Sequence, residues 1–307
     1  MTRTRHRLRT LAGAAILATA AAGACAPAGP STGHRDARRY VALGDSWSAG
    51  ALTAFPVGDP LVCARSPINY PSLVAAALDV SAFVDRTCGS ASFDDLAAVQ
   101  KVGFFGLPLG TAPPQFDALD ESVELITIGM GGNDIGLPDF AVGCLNVVPI
   151  PLGPPPFGRS CQETFVANGV DKASEAIVKT RAEADLAFRM IRARAPRARV
   201  FVIGYPTGFP ADGAGCFARW PVLDVDAAWV AAKMHEMNEM LRSAANLAGF
   251  TFVDLEPSSV GHDGCKPQGT AWVNGITFVP DGVPLHPNSL GQANAARVIE
   301  AAIRQAG

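Results

Sequence analysis

The sequence has few of the features that indicate a metalloprotein, a nucleic-acid-binding protein or a membrane protein. It contains no CxxC pair, and its five histidines are scattered, so a zinc site of the usual spacing is not expected. Positive charge is not in excess: without the four arginines of the first 24 residues, 21 basic residues stand against 28 acidic ones, which moves the formal charge from −3 to −7. This balance argues against nucleic acid as a partner. Because no later apolar run is long enough to span a bilayer, we expect a water-soluble globular protein.

The first 24 residues are typical of a secretory signal. Their four arginines precede an apolar run at 11–24 that contains no acidic residue and ends in small residues. The stretch 25–38 is rich in Pro, Gly, Ser and charge, which predicts a flexible spacer before a domain at 39–307. Lipidation of Cys25 would tether the protein to the outer membrane face, whereas cleavage after an A-x-A pattern would release a free chain. Either alternative predicts an exported protein.

Six further cysteines lie in the body of the chain. In an exported protein, disulfides are the expected use of an even number of cysteines. Pairing in chain order would close three local loops, although six cysteines allow many other connectivities. The chain-order pairs are Cys63–Cys88, Cys144–Cys161 and Cys216–Cys265.

Short apolar runs alternate with longer helical patterns along the chain. Continuous β-rich runs are typical of strands that are buried on both faces of a parallel sheet. Helices are predicted at 172–196, at 225–249 with Asp224 or Asp226 as the N-cap, and from Asn288 to the C-terminus. The pattern predicts one α/β domain, a three-layer α/β/α sandwich around a five-stranded parallel sheet. The predicted strands are 40–43, 81–85, 125–129, 200–204 and 250–255.

Two apolar insertions rich in Pro and Gly interrupt this alternation, at 101–116 and at 147–158. Long loops of this kind often shape a binding site, although a surface loop without a role has a similar composition. Their apolar side chains favour an acyl chain over a sugar as the neighbouring ligand. These side chains are Phe104, Phe105, Leu107, Val147, Val148, Ile150 and Phe157.

Polar residues follow the predicted strands at the edge where ligands bind in open parallel sheets. Ser46 comes just after the first strand, where it could either cap a helix or do chemistry. The third strand ends in GGND at 131–134, where the Asn133 amide could donate a hydrogen bond to a developing oxyanion. Gly89 and Ser90 follow the second strand and offer backbone N–H groups beside Cys88, and His286 lies in a Pro-bounded loop before the last helix.

These four motifs, GDSWSAG, the Gly-bearing block at 88–91, GGND and HPN, occur in the order found in the GDSL or SGNH hydrolase family, which the chain from 39 to 305 resembles. The RSPINYP segment, APPQFDAL and six body cysteines make it similar to the secreted actinobacterial esterase and lipase branch, which has three disulfides. The resemblance implies a flavodoxin-like SGNH hydrolase fold and a serine esterase that needs no metal or cofactor. We expect a monomer that acts on a small-molecule or lipid ester.

The resemblance also implies residue roles. Ser46 would be the nucleophile, and His286 its general base and then the acid that protonates the leaving alcohol. The oxyanion would be bound by the Ser46 N–H, by a backbone N–H of Gly89 or Ser90, and by the Asn133 side chain, each donor contributing roughly 3 kcal/mol. The alignment leaves open whether Gly89 or Ser90 matches the family glycine.

The sequence departs from the family pattern near the histidine. The family usually has an Asp three residues before it, where this chain has Val283. We expect the Val283 backbone carbonyl to orient the imidazole in a Ser-His dyad, with an Asp281 triad as the alternative.

An exported serine ester hydrolase acting on fatty acyl or lipid-like esters is therefore the leading hypothesis. Phospholipase A and carbohydrate acetylesterase are alternatives that use the same machinery. A surface binding protein on the same fold is the non-enzymatic alternative, and the absence of Asp at 283 is its main support. Ser46, Asn133 and His286 together argue against it, since a binding protein has no physical need for all three.

Overall fold

The five predicted strands form one parallel sheet in the computed structural model, which describes residues 39–104, 107–148, 150, 152–153, 155–210, 212–217, 219–277 and 279–307. The predicted signal, the spacer and Cys25 lie outside the described residues. These described ranges contain nine strands: β1 (Arg39–Gly44), β2 (Ala82–Asp85), β3 (Gln100–Phe104), β4 (Leu107–Ala112), β5 (Leu125–Gly129), β6 (Val166–Ala167), β7 (Val170–Asp171), β8 (Arg199–Ile203) and β9 (Thr251–Val253).

The described helices flank the sheet and fill the connections. They are α1 (Ser46–Ala49), α2 (Tyr70–Ala77), α3 (Leu137–Gly143), α4 (Gln162–Phe165), α5 (Lys172–Arg194), α6 (Asp224–Leu247), α7 (Glu256–Ser259) and α8 (Ser289–Gln305). Short 3₁₀ helices occupy Leu61–Cys63, Phe93–Leu96 and Gln115–Ala118.

The sheet has the strand order β2-β1-β5-β8-β9, and every neighbouring pair is parallel. The chain moves from β1 outward to β2, then returns to place β5 on the other side of β1. Strand order therefore reverses at β1, and ligands of open α/β sheets bind beyond the carboxyl ends of the strands at such a reversal.

Alternate side chains of each strand enter two different apolar cores. Tyr40 and Ala42 pack with the residues of α2 and α8 on one face of the sheet. Val41 and Leu43 pack with α5 and α6 on the other face. The period of two in a strand sends neighbours to opposite faces, so a continuous apolar run is buried throughout. These two cores confirm the predicted three-layer arrangement.

The helix starts were predicted with mixed success. Asn288 caps α8 as expected, since its Oδ1 accepts the Gly291 N–H at 3.1 Å. The N-cap prediction for α6 was wrong, because Leu223 occupies that position. The Asp226 carboxylate instead accepts backbone N–H groups of Cys161 and Gln162, so it anchors the segment that leads into α4.

The six body cysteines are paired in chain order, as Cys63–Cys88, Cys144–Cys161 and Cys216–Cys265. Two of these bonds are fully buried, and the first joins the Leu61–Cys63 turn to the segment after β2. Within the described ranges, no helix is both long and apolar enough to cross a membrane.

Candidate active site

Ser46 is the first residue of α1, directly beyond the reversal point of the sheet. Its neighbour Asp45 is the N-cap, because the Asp45 Oδ1 accepts the Trp47 N–H at 2.9 Å. The capping alternative for Ser46 is therefore wrong, and its hydroxyl is available for another partner. Gln115 fixes the end of β1 by exchanging two hydrogen bonds with the Gly44 backbone, at 2.8 and 2.9 Å.

His286 is the partner of that hydroxyl. Its Nε2 lies 2.8 Å from the Ser46 Oγ, and its Nδ1 lies 2.8 Å from the Pro284 carbonyl oxygen. A carbonyl can only accept, so Nδ1 carries the proton and Nε2 is left as the acceptor for the serine hydroxyl. Desolvation lowers the pKa of His286 below its ordinary value, although the Pro284 carbonyl opposes this shift. The arrangement can therefore remove a proton from Ser46 at neutral pH.

The predicted orienting group was wrong by one residue. The Val283 carbonyl accepts from the Asn274 amide at 3.3 Å, and the Pro284 carbonyl takes the place expected for it. The alternative Asp281 does not contact the imidazole either: its carboxylate accepts the Ser289 N–H at 2.9 Å and the Ser289 hydroxyl at 2.6 Å. The geometry is that of a Ser-His pair supported by a backbone carbonyl.

Three candidate oxyanion donors lie at the carboxyl ends of the neighbouring strands β2, β1 and β5. The backbone N–H groups of Ser46 and Ser90 have no acceptor among the described residues. Gly89 is excluded as a donor, because its N–H is engaged by the Cys63 carbonyl at 3.0 Å. Ser90 has a φ of 62°, a left-handed conformation that favours glycine and that suits the position of a family glycine. Of the two residues, Ser90 is therefore the one whose backbone N–H is left for a ligand in the described structure.

The Asn133 side chain supplies the third candidate donor. One N–H of its amide donates to the Ala91 carbonyl at 2.8 Å, which leaves the second N–H for a substrate oxygen. The adjacent Asp134 accepts the Phe93 N–H at 2.9 Å through Oδ1, so the pair holds the segment 91–93 beside β5. The other carboxylate oxygen of Asp134 is buried without a hydrogen-bond partner in the described part of the chain, and burial raises the pKa of this group to about 7.

A buried polar network beneath the nucleophile was not foreseen from the sequence. The Tyr205 hydroxyl, just after β8, donates to the Asp45 Oδ2 and accepts the Gly132 N–H at 2.9 Å. Burial raises the pKa of Asp45 to about 6, while the bond from Tyr205 opposes that rise. No motif marks Tyr205, which reaches the site from a distant part of the chain, and the APPQFDAL segment that contains Gln115 carried no predicted role in the site.

The first predicted insertion forms the antiparallel β3–β4 hairpin. This hairpin lies beside residues 88–91, which are called the Ser90 loop below. Gln100 donates to the Gly89 carbonyl at 2.7 Å, and the Ser90 hydroxyl contacts the Gly103 carbonyl at 3.4 Å. Leu107 and Leu109 remain more than half exposed on this hairpin. An apolar surface therefore adjoins the candidate oxyanion site.

The second insertion, at 147–158, makes its described contacts elsewhere. The Val147 N–H donates to the Pro156 carbonyl, and the Asn146 N–H that precedes the insertion donates to the Pro221 carbonyl at 2.7 Å. Val147, Ile150 and Phe157 are largely exposed. These hydrogen bonds connect the start of the insertion to the segment before α6. Its predicted role as a wall of the binding site stays a prediction. The side chains of Phe104 and Phe105 lie outside the described residues.

Comparison with known proteins identifies close similarity over most of the chain. The model of the GDSL-like lipase/acylhydrolase family matches residues 42–293. Lipase 2 of Streptomyces coelicolor is 35% identical over 260 residues, which cover 84% of this chain and 83% of that protein.

Solved structures agree with this result. The extracellular lipase of Streptomyces rimosus is 26% identical, with a TM-score of 0.65 over 87% of this chain and 100% of the other. A phospholipase A1 of Streptomyces albidoflavus shares the fold at 24% identity, with a TM-score of 0.64 over 86% of this chain and 99% of the other.

Proposed function

The chain belongs to the GDSL-like lipase/acylhydrolase family, and we propose that it is an exported ester hydrolase that cleaves fatty acyl or lipid-like esters through an acyl-enzyme on Ser46. The observation that carries this proposal is the 2.8 Å contact between the Ser46 Oγ and the His286 Nε2. A nucleophile and a base at hydrogen-bond distance, with the base oriented by a third group, form the pattern of covalent acyl transfer.

The proposed reaction runs in two halves. The Ser46 oxygen attacks the ester carbonyl while His286 Nε2 takes the hydroxyl proton, and the carbonyl electron pair moves onto its oxygen. The N–H groups of Ser46, Ser90 and Asn133 stabilise this oxyanion. When the tetrahedral intermediate collapses, the ester bond breaks, and His286 gives its proton to the departing alkoxide. Water then repeats the same steps on the acyl-enzyme, which releases the carboxylic acid and restores the serine.

The proposed substrate class rests on the surface beside the oxyanion donors. The β3–β4 hairpin exposes Leu107 and Leu109 next to the Ser90 loop and carries one charged residue, Lys101. An exposed apolar surface at this place can receive the chain of an acyl ester. The alternatives of phospholipase A and carbohydrate acetylesterase differ in acyl length and alcohol, so substrate profiling distinguishes them.

Export is proposed from the N-terminal sequence together with the three disulfides, which persist in oxidising compartments. Lipidation of Cys25 would add a tether to the membrane surface. Intact-mass analysis of the mature protein tests both points, because an acylated Cys25 at the N-terminus and an unmodified chain differ in mass.

Hydrolysis of a p-nitrophenyl ester series from acetyl to palmitoyl tests the proposed function. Ser46→Ala should abolish turnover, whereas the matched control Ser48→Ala should retain it, because the Ser48 hydroxyl on the same helix donates to the Gly129 carbonyl. A preference for medium or long chains would support the acyl-ester proposal. Turnover that persists in Ser46→Ala, or a wild-type protein inert across the series, would refute it.

A further inference from the structure

Tyr205 joins the two loops that carry the candidate catalytic groups. Its hydroxyl donates to Asp45, the cap of the helix that begins with Ser46, and accepts the N–H of Gly132, the residue before Asn133. The nucleophile and the oxyanion donor thus share one buried phenol as an intermediate partner. Among the described residues, no other side-chain hydrogen bond links these two loops so directly, since the Ser48 hydroxyl reaches only the end of β5 at Gly129.

The surroundings hold Tyr205 in a single place. The Asn238 side chain on α6 accepts the Tyr205 N–H at 2.9 Å and donates to the Tyr205 carbonyl at 2.9 Å. Tyr205 is 3% exposed and Asn238 is fully buried, so both hydrogen bonds lie away from water. These two hydrogen bonds fix the backbone of Tyr205 and thereby restrict where its ring can lie. Leaving any of these buried polar groups unpaired would cost free energy of folding.

Gly132 is shaped to receive the phenol. A Cβ at this position would lie 3.1 Å from the Tyr205 Oη, tighter than an ordinary van der Waals contact. The absence of a side chain therefore lets the backbone N–H approach the hydroxyl. Gly132 does not have a left-handed φ, so its glycine serves this approach and not a turn.

We propose that Tyr205 is a positioning residue that holds the Ser46 helix and the Asn133 loop in the register needed for attack and for oxyanion stabilisation. This inference rests on the proposed function, because the register matters only if both groups act on one acyl carbonyl. A displacement of about 1 Å of a reacting group from its productive position lowers kcat steeply, while KM is little changed.

The hydroxyl also keeps Asp45 ionised. Burial raises the pKa of Asp45, and the bond from Tyr205 is the largest influence that lowers it. The other titratable groups that face this carboxyl are Tyr70 from α2 and Asp134 from the β5 loop. An ionised Asp45 is the stronger acceptor for the N–H groups that it caps. Loss of the phenol hydroxyl should thus weaken the cap at a higher pH than in the wild type.

Tyr205→Phe tests the proposal, with Tyr70→Phe as the matched control. Tyr70 is also 3% exposed, and its hydroxyl donates to the Ser48 Oγ of the same helix at 3.1 Å without reaching Gly132. The expected result for Tyr205→Phe is a fall in kcat of about tenfold with KM within about twofold, and an acid limb of the kcat/KM profile displaced to higher pH. Rates are normalised to active sites titrated with a p-nitrophenyl phosphonate, which removes any unfolded fraction. Tyr70→Phe should keep the wild-type acid limb.

Gly132→Ala is a second variant that disturbs the same contact, because its Cβ would lie 3.1 Å from the Tyr205 Oη. It tests the proposal if Tyr205→Phe does not fold. It should show the same fall in kcat. Wild-type kcat and acid limb in the folded variants, or equal changes in Tyr70→Phe, would overturn the inference. The two proposals fail separately: an active Ser46→Ala removes the proposed function, whereas an inactive Ser46→Ala beside a wild-type-like Tyr205→Phe removes only the role of Tyr205.

Discussion

The Ser46 Oγ and the His286 Nε2 lie 2.8 Å apart although 240 positions separate the two residues in the chain. Each residue is positioned by hydrogen bonds that involve residues next to it in the chain. Asp45 caps the helix that begins at Ser46, and the Pro284 carbonyl holds the opposite nitrogen of the imidazole. Because β1 ends beside the start of α8, the fold brings Ser46 and His286 together. The pair therefore depends on the fold and not on proximity in sequence.

The pH profile of kcat/KM should report the state of His286. Only the neutral imidazole can take the serine proton, so activity is lost as pH falls through the histidine pKa and is complete above it. Because desolvation lowers this pKa, the acid midpoint should lie below the ordinary histidine value of 6.5. Titration of Asp45 near 6 falls in the same range and acts in the same direction. A midpoint well above 6.5 would indicate a carboxylate stabilising the imidazolium, contrary to the observed carbonyl contact.

Asp281→Ala should affect stability more than catalysis. The Asp281 carboxylate accepts two hydrogen bonds from Ser289 at the start of α8, and the loss of hydrogen bonds of this kind costs about 1 kcal/mol of unfolding free energy. Turnover should stay within about twofold of the wild type, because the carboxylate does not touch His286. Denaturant unfolding and kcat measured on the same preparation give both quantities. A fall in kcat of about 10⁴ with an intact fold would instead assign Asp281 to a triad.

The layers of the fold were predictable because their signal is local. Each run of the parallel sheet is apolar at consecutive positions, and the long helices carry their own boundaries, such as Asn288 before α8. The same holds for Ser46, Asn133 and His286, whose positions after strands or before a helix point to one edge of the sheet. These inferences need only the sequence near each residue and the rule that parallel strands end together.

The remaining site contacts depend on distances that the sequence does not encode locally. The orienting carbonyl was predicted at Val283, yet the left-handed backbone at Leu285 accompanies a turn in which the Pro284 carbonyl meets the ring. Tyr205 lies 160 positions from Asp45, and no motif joins them. The choice of Ser90 over Gly89 likewise needed the observed bond from the Gly89 N–H to the Cys63 carbonyl.

Ser90→Gly should preserve turnover. The proposed donor at this position is the backbone N–H, which glycine retains, and the φ of 62° is easier for glycine than for serine. The relief of strain and the added freedom of the unfolded chain oppose each other, so the free energy of unfolding should change by less than about 1 kcal/mol. Turnover of p-nitrophenyl butyrate and chemical denaturation check the two expectations. A large loss of kcat in a folded protein would assign the function to the serine hydroxyl.

Removal of one disulfide should impair catalysis, whereas removal of another should only lower stability. The Cys63–Cys88 bond spans 25 residues and ends two residues before Ser90, and the Cys144–Cys161 bond spans 17 residues at the second insertion. Loops of this length predict a loss of about 3 kcal/mol in unfolding free energy for either pair replaced by alanine.

Only the first replacement should also lower kcat, because the Cys63–Cys88 bond ties the Leu61–Cys63 turn to the segment that presents the Ser90 donor, and without it the Gly89 N–H bond to the residue-63 carbonyl is the tie that remains. The measurement is kcat per titrated active site at a temperature where both double variants are folded. The Cys144→Ala/Cys161→Ala protein is the matched control, since it loses a buried disulfide of similar span away from the Ser90 loop. Equal losses of kcat in both proteins would mean that the disulfides act through global stability. The Ser90 loop would then be held by its hydrogen bonds alone.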